Sequence, residues 1–193
     1  MTDIVALKTK LFPLEINPNF KELKSKTFDF NTNICNISHI YKNIYISDIQ
    51  YSYDIRKLIT KDICAILYLG TSNKFQKILD LYKTCKINHL FLKIDDDVNS
   101  DISQCFQPAY DFINKNVKLG YNILIHCKKG ISRSPTIVAY YLMRKMFERM
   151  KSKCIMEPVM DDILRLIHIN RPCSNLNKTF IQQLKKYEYN NIK

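Results

Sequence analysis

Short apolar runs alternate along the chain with longer stretches whose apolar residues recur every three or four positions. Ile44-Tyr45-Ile46-Ser47, Cys64-Ala65-Ile66-Leu67-Tyr68-Leu69, Leu90-Phe91-Leu92-Lys93-Ile94 and Asn122-Ile123-Leu124-Ile125 read as strands, the second of them ended by Gly70. Tyr53 to Ile59 reads as a short helix, and Phe75, Ile78, Leu79 and Tyr82 have the spacing of one helix face. A further helix is expected to begin near Asp101, whose side chain can cap it with Gln104 answering three residues on; Pro108 either kinks that helix or marks its first turn. Helices are then predicted from Ser134 to about Arg149, from Pro158 to Asn170 and from about Lys178 to Glu188. The first buries Ile137 to Met143, and the second starts on proline with Val159, Ile163, Leu166 and Ile167 on one side. Apolar strands separated by helices imply an α/β fold: a central, mostly parallel sheet of four to five strands flanked by helices.

From Ile34 onward no linker, repeat or low-complexity tract interrupts this texture, so residues 34–193 are expected to form one domain. Residues 1–33 differ: prolines, lysines and scattered phenylalanines without clear periodicity predict either a loosely ordered extension or an arm that packs on the domain or on a second subunit, and the phenylalanines favour some docking. The expected state is therefore a monomer, or a homodimer formed through that segment. With 46% hydrophobic residues the 193-residue chain fills a core without staples.

Seven cysteines without paired or zinc-type spacing argue against a disulfide framework and against a structural metal. They imply a reducing compartment, the cytoplasm with the nucleus as the other candidate. Met1 to Lys10 carries Asp3 and no long apolar stretch, and Thr2 removes the glycine that myristoylation needs. A soluble protein without membrane partners is expected. The formal charge of +12 would attract phosphoproteins, nucleic acid or anionic lipid. Abundant Lys, Asn and Ile beside only 3 Gly and no Trp make an AT-rich coding bias the stronger explanation, so no dedicated nucleic-acid binding is expected.

The chemistry concentrates in His126-Cys127-Lys128-Lys129-Gly130-Ile131-Ser132-Arg133-Ser134-Pro135-Thr136, which joins a predicted strand to a predicted helix. Open N–H groups at the start of a helix form a ready site for an anion. Cys127 opens the loop, where those groups and the guanidinium of Arg133 favour thiolate over thiol. Arg133 is far enough along for the chain to curl round a tetrahedral anion and offer it a planar fork. Gly130 supplies the freedom for the curl, and Pro135 suits the first turn of the helix.

The spacing H-C-x-x-G-x-x-R-S resembles the signature of cysteine-dependent protein tyrosine phosphatases, and the fuller string HCKKGISRSPT is similar to their dual-specificity branch. The segment from Arg171-Pro172 to Leu184 resembles the family's closing pattern, an R-P pair followed by P-N-x-x-F-x-x-Q-L. Leu176 replaces its proline and Thr179 its glycine. The likeness covers roughly Ile34 to Glu188. It implies a phosphotyrosine-phosphatase-like fold and hydrolysis of phosphotyrosine and phosphoserine/phosphothreonine through a phosphocysteine intermediate, with no metal or cofactor. It makes Cys127 the nucleophile and Arg133 the phosphate binder, with Lys128, Lys129, Gly130, Ile131 and Ser132 completing the substrate loop. It gives His126 the task of ordering that loop and tuning the sulfur, and Ser134 that of hydrogen-bonding the departing thiolate, alongside its simpler reading as a helix cap.

A departing alkoxide or phenolate also needs a proton donor. Asp95, Asp96 and Asp97 follow a predicted strand whose carboxyl end faces the same crevice. Aligning Asp101-Ile102-Ser103-Gln104-Cys105-Phe106 with the family's N-x-S-x-F-F selects Asp96, with Asp95 and Asp97 as the alternatives. Phosphorylated proteins are the expected partners. Lys128 and Lys129 keep open a phosphatase of phosphoinositides or RNA 5′ ends, although Ser134-Pro135-Thr136 is the protein-directed wording. A non-catalytic phosphoprotein-binding module would have lost Cys127, Arg133 or the acid, and none is lost. The small size and skewed composition resemble the compact viral members of the family.

Overall fold

The structure is a computed structural model that describes residues 37–71, 76–154 and 157–192. The expectations for residues 1–33 and for Phe75 lie outside the described residues. The chain runs β1 (Ile37–Tyr41), β2 (Ile44–Ser47), α1 (Ile49–Tyr53), α2 (Ile55–Thr60), β3 (Ile63–Gly70), α3 (Gln76–Thr84) and β4 (Asn88–Lys93). A 3-10 turn (Ile102–Cys105) follows, then α4 (Phe106–Lys118), β5 (Asn122–His126), α5 (Arg133–Lys151), α6 (Met160–Asn170) and α7 (Lys178–Ile192).

The strands form one sheet in the order β1-β2-β5-β3-β4. β1 pairs antiparallel with β2, while β2, β5, β3 and β4 are parallel. Parallel pairing places the carboxyl ends of four strands, at Ser47, Gly70, Lys93 and His126, along one edge of the sheet. The loops that leave those ends therefore meet there.

Both faces are covered. Ile66, Tyr68 and Leu124 pack with Tyr51, Leu58, Ile78 and Tyr82 from α1, α2 and α3. Successive strand residues point to opposite faces, so Ala65, Leu67, Leu69, Ile123 and Ile125, all fully buried, meet the other layer. There α4 and α5 lie on β3 and β5. α5 is buried almost all round from Arg133 to Met143, because α4, α6 and α7 enclose it on the sides the sheet leaves open. A helix so enclosed cannot shift its first turn independently of the core.

Three local departures from the sequence pattern have physical causes. β1 was not anticipated, because within it only Ile40 is buried and no alternation results. The helix predicted over Tyr53 to Ile59 is α2, which starts at Ile55 because Asp54 caps it through Lys57 N–H (3.2 Å), and the unanticipated α1 before it is capped by Asp48 through Tyr51 N–H (2.9 Å). The helix expected from Pro158 begins at Met160, because the carboxylate of Glu188 on α7 accepts the N–H groups of Val159 and Met160 at 2.7 and 2.8 Å. Asp101 does cap the turn after it, through Ser103 N–H at 3.0 Å. Pro108 is the third residue of α4, where its missing N–H has no partner to lose.

The hydroxyl of fully buried Tyr82 donates to the carbonyl of Ser52 at 2.5 Å, tying α3 to α1. Tyr82→Phe leaves that carbonyl without its donor and is expected to lower stability by about 1–2 kcal/mol in denaturant titration.

Candidate active site

β5 delivers the chain to Cys127, and α5 begins six residues later at Arg133. Cys127 is 1% exposed, and its Sγ accepts the N–H of Gly130 at 3.2 Å and the hydroxyl of Ser134 at 3.4 Å. Burial on its own would push the thiol above its ordinary 9.0. The Ser134 hydroxyl and N–H, the Arg133 charge and the Gly130 N–H together outweigh it and hold the thiol below that value.

The shape of the loop follows from where its carbonyls go. Lys128 C=O accepts from Ile49 N–H (3.3 Å) and Ile131 C=O from Asn175 N–H (2.9 Å). Between them, Arg171 donates through Nη2 to Lys129 C=O (3.3 Å) and through Nε to Gly130 C=O (2.6 Å). In a trans peptide the C=O and the following N–H point opposite ways. Four carbonyls held from outside thus leave the N–H groups of residues 129–132 facing the sulfur's side, and the Gly130 N–H is seen to reach it. Gly130 sits at φ +67°, and a Cβ there would stand 2.4 Å from the Ser47 carbonyl oxygen and 2.5 Å from Arg171 Nη2. Only glycine satisfies both demands.

Across the opening lies the loop after β4. Asp96 accepts the Ser132 hydroxyl through Oδ1 at 2.7 Å, and its Oδ2 lies 3.6 Å from Arg133 Nε. Arg133, 8% exposed, donates through Nη1 to Ile94 C=O at 3.1 Å. Its buried Nε has no hydrogen-bond acceptor among the described residues. Asp95 instead accepts from Thr71 Oγ1 (3.3 Å), and Asp97 accepts from Asn99 N–H (2.7 Å). Of the three adjacent acids, Asp96 is the one that lines the cavity. That cavity, about 550 Å³, is also bounded by Cys127, Lys128, Lys129, Ile131, Ser132 and Arg133.

A cup with backbone N–H groups, a guanidinium and a thiol at its base suits a tetrahedral anion. Residues 44–190 match the dual specificity phosphatase catalytic domain. The chain belongs to the dual specificity phosphatase family. It is 32% identical over 151 residues to a probable dual specificity protein phosphatase of Dictyostelium discoideum, covering 76% of this chain and 61% of that protein. It is likewise 32% identical over 152 residues to the tyrosine-protein phosphatase vhp-1 of Caenorhabditis elegans, covering 79% of this chain but 21% of that one. Among solved structures the crystal structure of DUSP15 superposes with a TM-score of 0.65 at 26% identity, over 79% of this chain and 87% of that one.

Several groups that build this site had no signal in the loop motif itself. Arg171, Asn175 and Asn177 come from the closing segment. The N–H of Asn177 bonds Ser132 Oγ at 3.1 Å, so Ser132 passes a hydrogen-bond chain from the start of α7 to Asp96. The closing pattern containing Arg171 and Asn177 was visible in the sequence, but not its contact with the loop. Leu176 and Lys178 join the cavity wall from the same segment. His126 is fully buried and stacks on Tyr68, ring centroids 4.8 Å apart. Burial drives its pKa from 6.5 down to about 3, against the opposing pull of the Cys127 backbone, so the ring is neutral. Among the described residues, no group of three His, Cys, Asp or Glu side chains could hold a metal ion, and no helix is long and apolar enough to cross a membrane.

Two outcomes follow from these environments. Alkylation of Cys127 by iodoacetamide, followed by peptide mass, should show a midpoint below pH 9.0, and Ser134→Ala should move it upward. A histidine held neutral in the fold adds stability above pH 6.5 that is lost as pH falls toward 3, since the unfolded chain takes the proton first. The unfolding free energy from denaturant titration should therefore fall from pH 6.5 to 5 by up to about 1.4 kcal/mol per pH unit, and His126→Gln should flatten the slope.

Proposed function

We propose that this domain hydrolyses phosphotyrosine and phosphoserine/phosphothreonine esters of proteins by two displacements through a phosphocysteine. Cys127 thiolate attacks phosphorus, so that an S–P bond forms as the ester P–O bond breaks. Arg133 and the N–H groups of residues 129–132 bind the three equatorial oxygens of the loose transition state. Asp96 gives its proton to the leaving oxygen, and in the second step takes one from the water that attacks the phosphocysteine. The Ser134 hydroxyl, 3.4 Å from Sγ, stabilises the thiolate as it departs.

The observation that carries this reading is the buried Nε of Arg133, which faces Asp96 at 3.6 Å without a hydrogen-bond acceptor. A phosphate oxygen in the cup supplies that acceptor and draws the guanidinium off the carboxylate. Lys128, Lys129 and Lys178 around the opening favour acidic residues beside the phosphorylated one. Within this reading residues 34–193 are the catalytic domain and 1–33 an extension able to pair subunits. A reducing cytoplasm or nucleus keeps the sulfur in its active state.

Cys127→Ser should abolish turnover of phosphopeptides while retaining their binding, and Asp96→Ala should slow turnover by roughly 10² to 10⁴. Asp95→Ala and Asp97→Ala should fall far short of that loss. Wild-type protein should release phosphate from phosphotyrosine and phosphothreonine peptides in preference to phosphoinositides and 5′-triphosphate RNA. Unchanged turnover in Cys127→Ser, or a preference for lipid or RNA, would overturn the assignment.

A further inference from the structure

Arg171 is 1% exposed, a cation enclosed at the back of the catalytic loop. Among the described residues it meets no carboxylate. Its donors go to Gly130 C=O (2.6 Å), Lys129 C=O (3.3 Å), Ile46 C=O (3.3 Å) and the Ser38 hydroxyl (3.1 Å). Burying a guanidinium against neutral dipoles alone is costly. A role in stability alone would be met more cheaply by an apolar side chain of that volume.

The two loop carbonyls that Arg171 holds belong to the peptide planes whose N–H groups are those of Gly130 and Ile131. One of these already reaches Cys127 Sγ. The same side chain is anchored on β1 through Ser38 and on β2 through Ile46, so it ties the orientation of both planes to the rigid edge of the sheet. Gly130 leaves the space, since a Cβ there would stand 2.5 Å from Nη2. We infer that Arg171 is a positioning residue for catalysis: by fixing two peptide planes from behind, it aims the N–H groups that stabilise the Cys127 thiolate and receive the phosphate oxygens.

This inference rests on the phosphatase reading, so its test includes measurements that need no turnover. Arg171→Lys keeps the charge and loses the two-pronged fork, and Arg171→Met keeps the volume and loses both. In each folded variant kcat should fall by roughly 10- to 100-fold with little change in KM, the size of effect that a small misplacement of catalytic groups produces. The Cys127 alkylation midpoint should rise toward that of an ordinary thiol, and binding of vanadate should weaken by roughly tenfold. A role confined to stability would lower the melting temperature while leaving kcat, the alkylation midpoint and vanadate binding of the folded variants unchanged, and that result would overturn the inference. Should neither variant fold, the wild-type protein decides. The Arg171 Nε–H resonance should be protected from solvent exchange and shift when vanadate binds, and an unshifted resonance would count equally against it. If wild-type protein binds vanadate but cleaves no ester, the function fails while the alkylation midpoints still judge Arg171.

Discussion

A peptide group has two ends, and in the loop from Cys127 to Arg133 the carbonyl ends are taken from outside. Ile49, Arg171 and Asn175 supply the donors, from two separate parts of the chain. Without them, four carbonyl oxygens would be free to turn into the cup, where their negative ends would raise the thiol's pKa and repel an anion. The direction of those bonds therefore decides the sign of the potential at the sulfur. Gly130 is the residue on which this depends most, since its conformation and its lack of a Cβ together admit the Arg171 guanidinium.

The fold supplies the rigidity that such an arrangement needs. β2, β5, β3 and β4 run parallel, so the donor of Lys128 C=O, the acid loop and the thiol all emerge at one edge of the sheet. α5 starts on that edge and is enclosed by the sheet, α4, α6 and α7. Its first turn carries Arg133 and Ser134, both buried, so the groups that face the sulfur share the rigidity of the core. The antiparallel strand β1 extends the sheet on the far side and adds Ser38 behind the loop.

How much of this was legible in the sequence depended on how local each interaction is. The loop from His126 to Thr136 could be read because its thiol, glycine, guanidinium and hydroxyl are close in the chain and act on one another. The parallel sheet was legible because its strands are continuous apolar runs. Which of three adjacent acids faces the cavity was legible only through a family register, since identical carboxylates in a row carry no pattern; the fold separates them by giving Asp95 to Thr71, Asp97 to Asn99 and Asp96 to Ser132. What could not be read lies far apart in the chain. Arg171 meets Gly130 across 41 positions, and Glu188 caps α6 from 28 or 29 residues away. Neither contact leaves a periodicity at either end.

The distribution of charge around the cup adds a further constraint. Lys128, Lys129, Lys178 and Arg133 line the cavity, Arg171 is buried behind the loop, and His126 beneath it is held neutral by burial. Among the described residues Asp96 is the one acidic residue bounding the cavity, and it is engaged by Ser132 and Arg133. The guanidinium proposed to hold a phosphate and the carboxylate proposed to protonate its ester thus face each other. A phosphate carries more negative charge than a single carboxylate and offers several acceptors to the same fork, so under the proposed function it competes with Asp96 for Arg133.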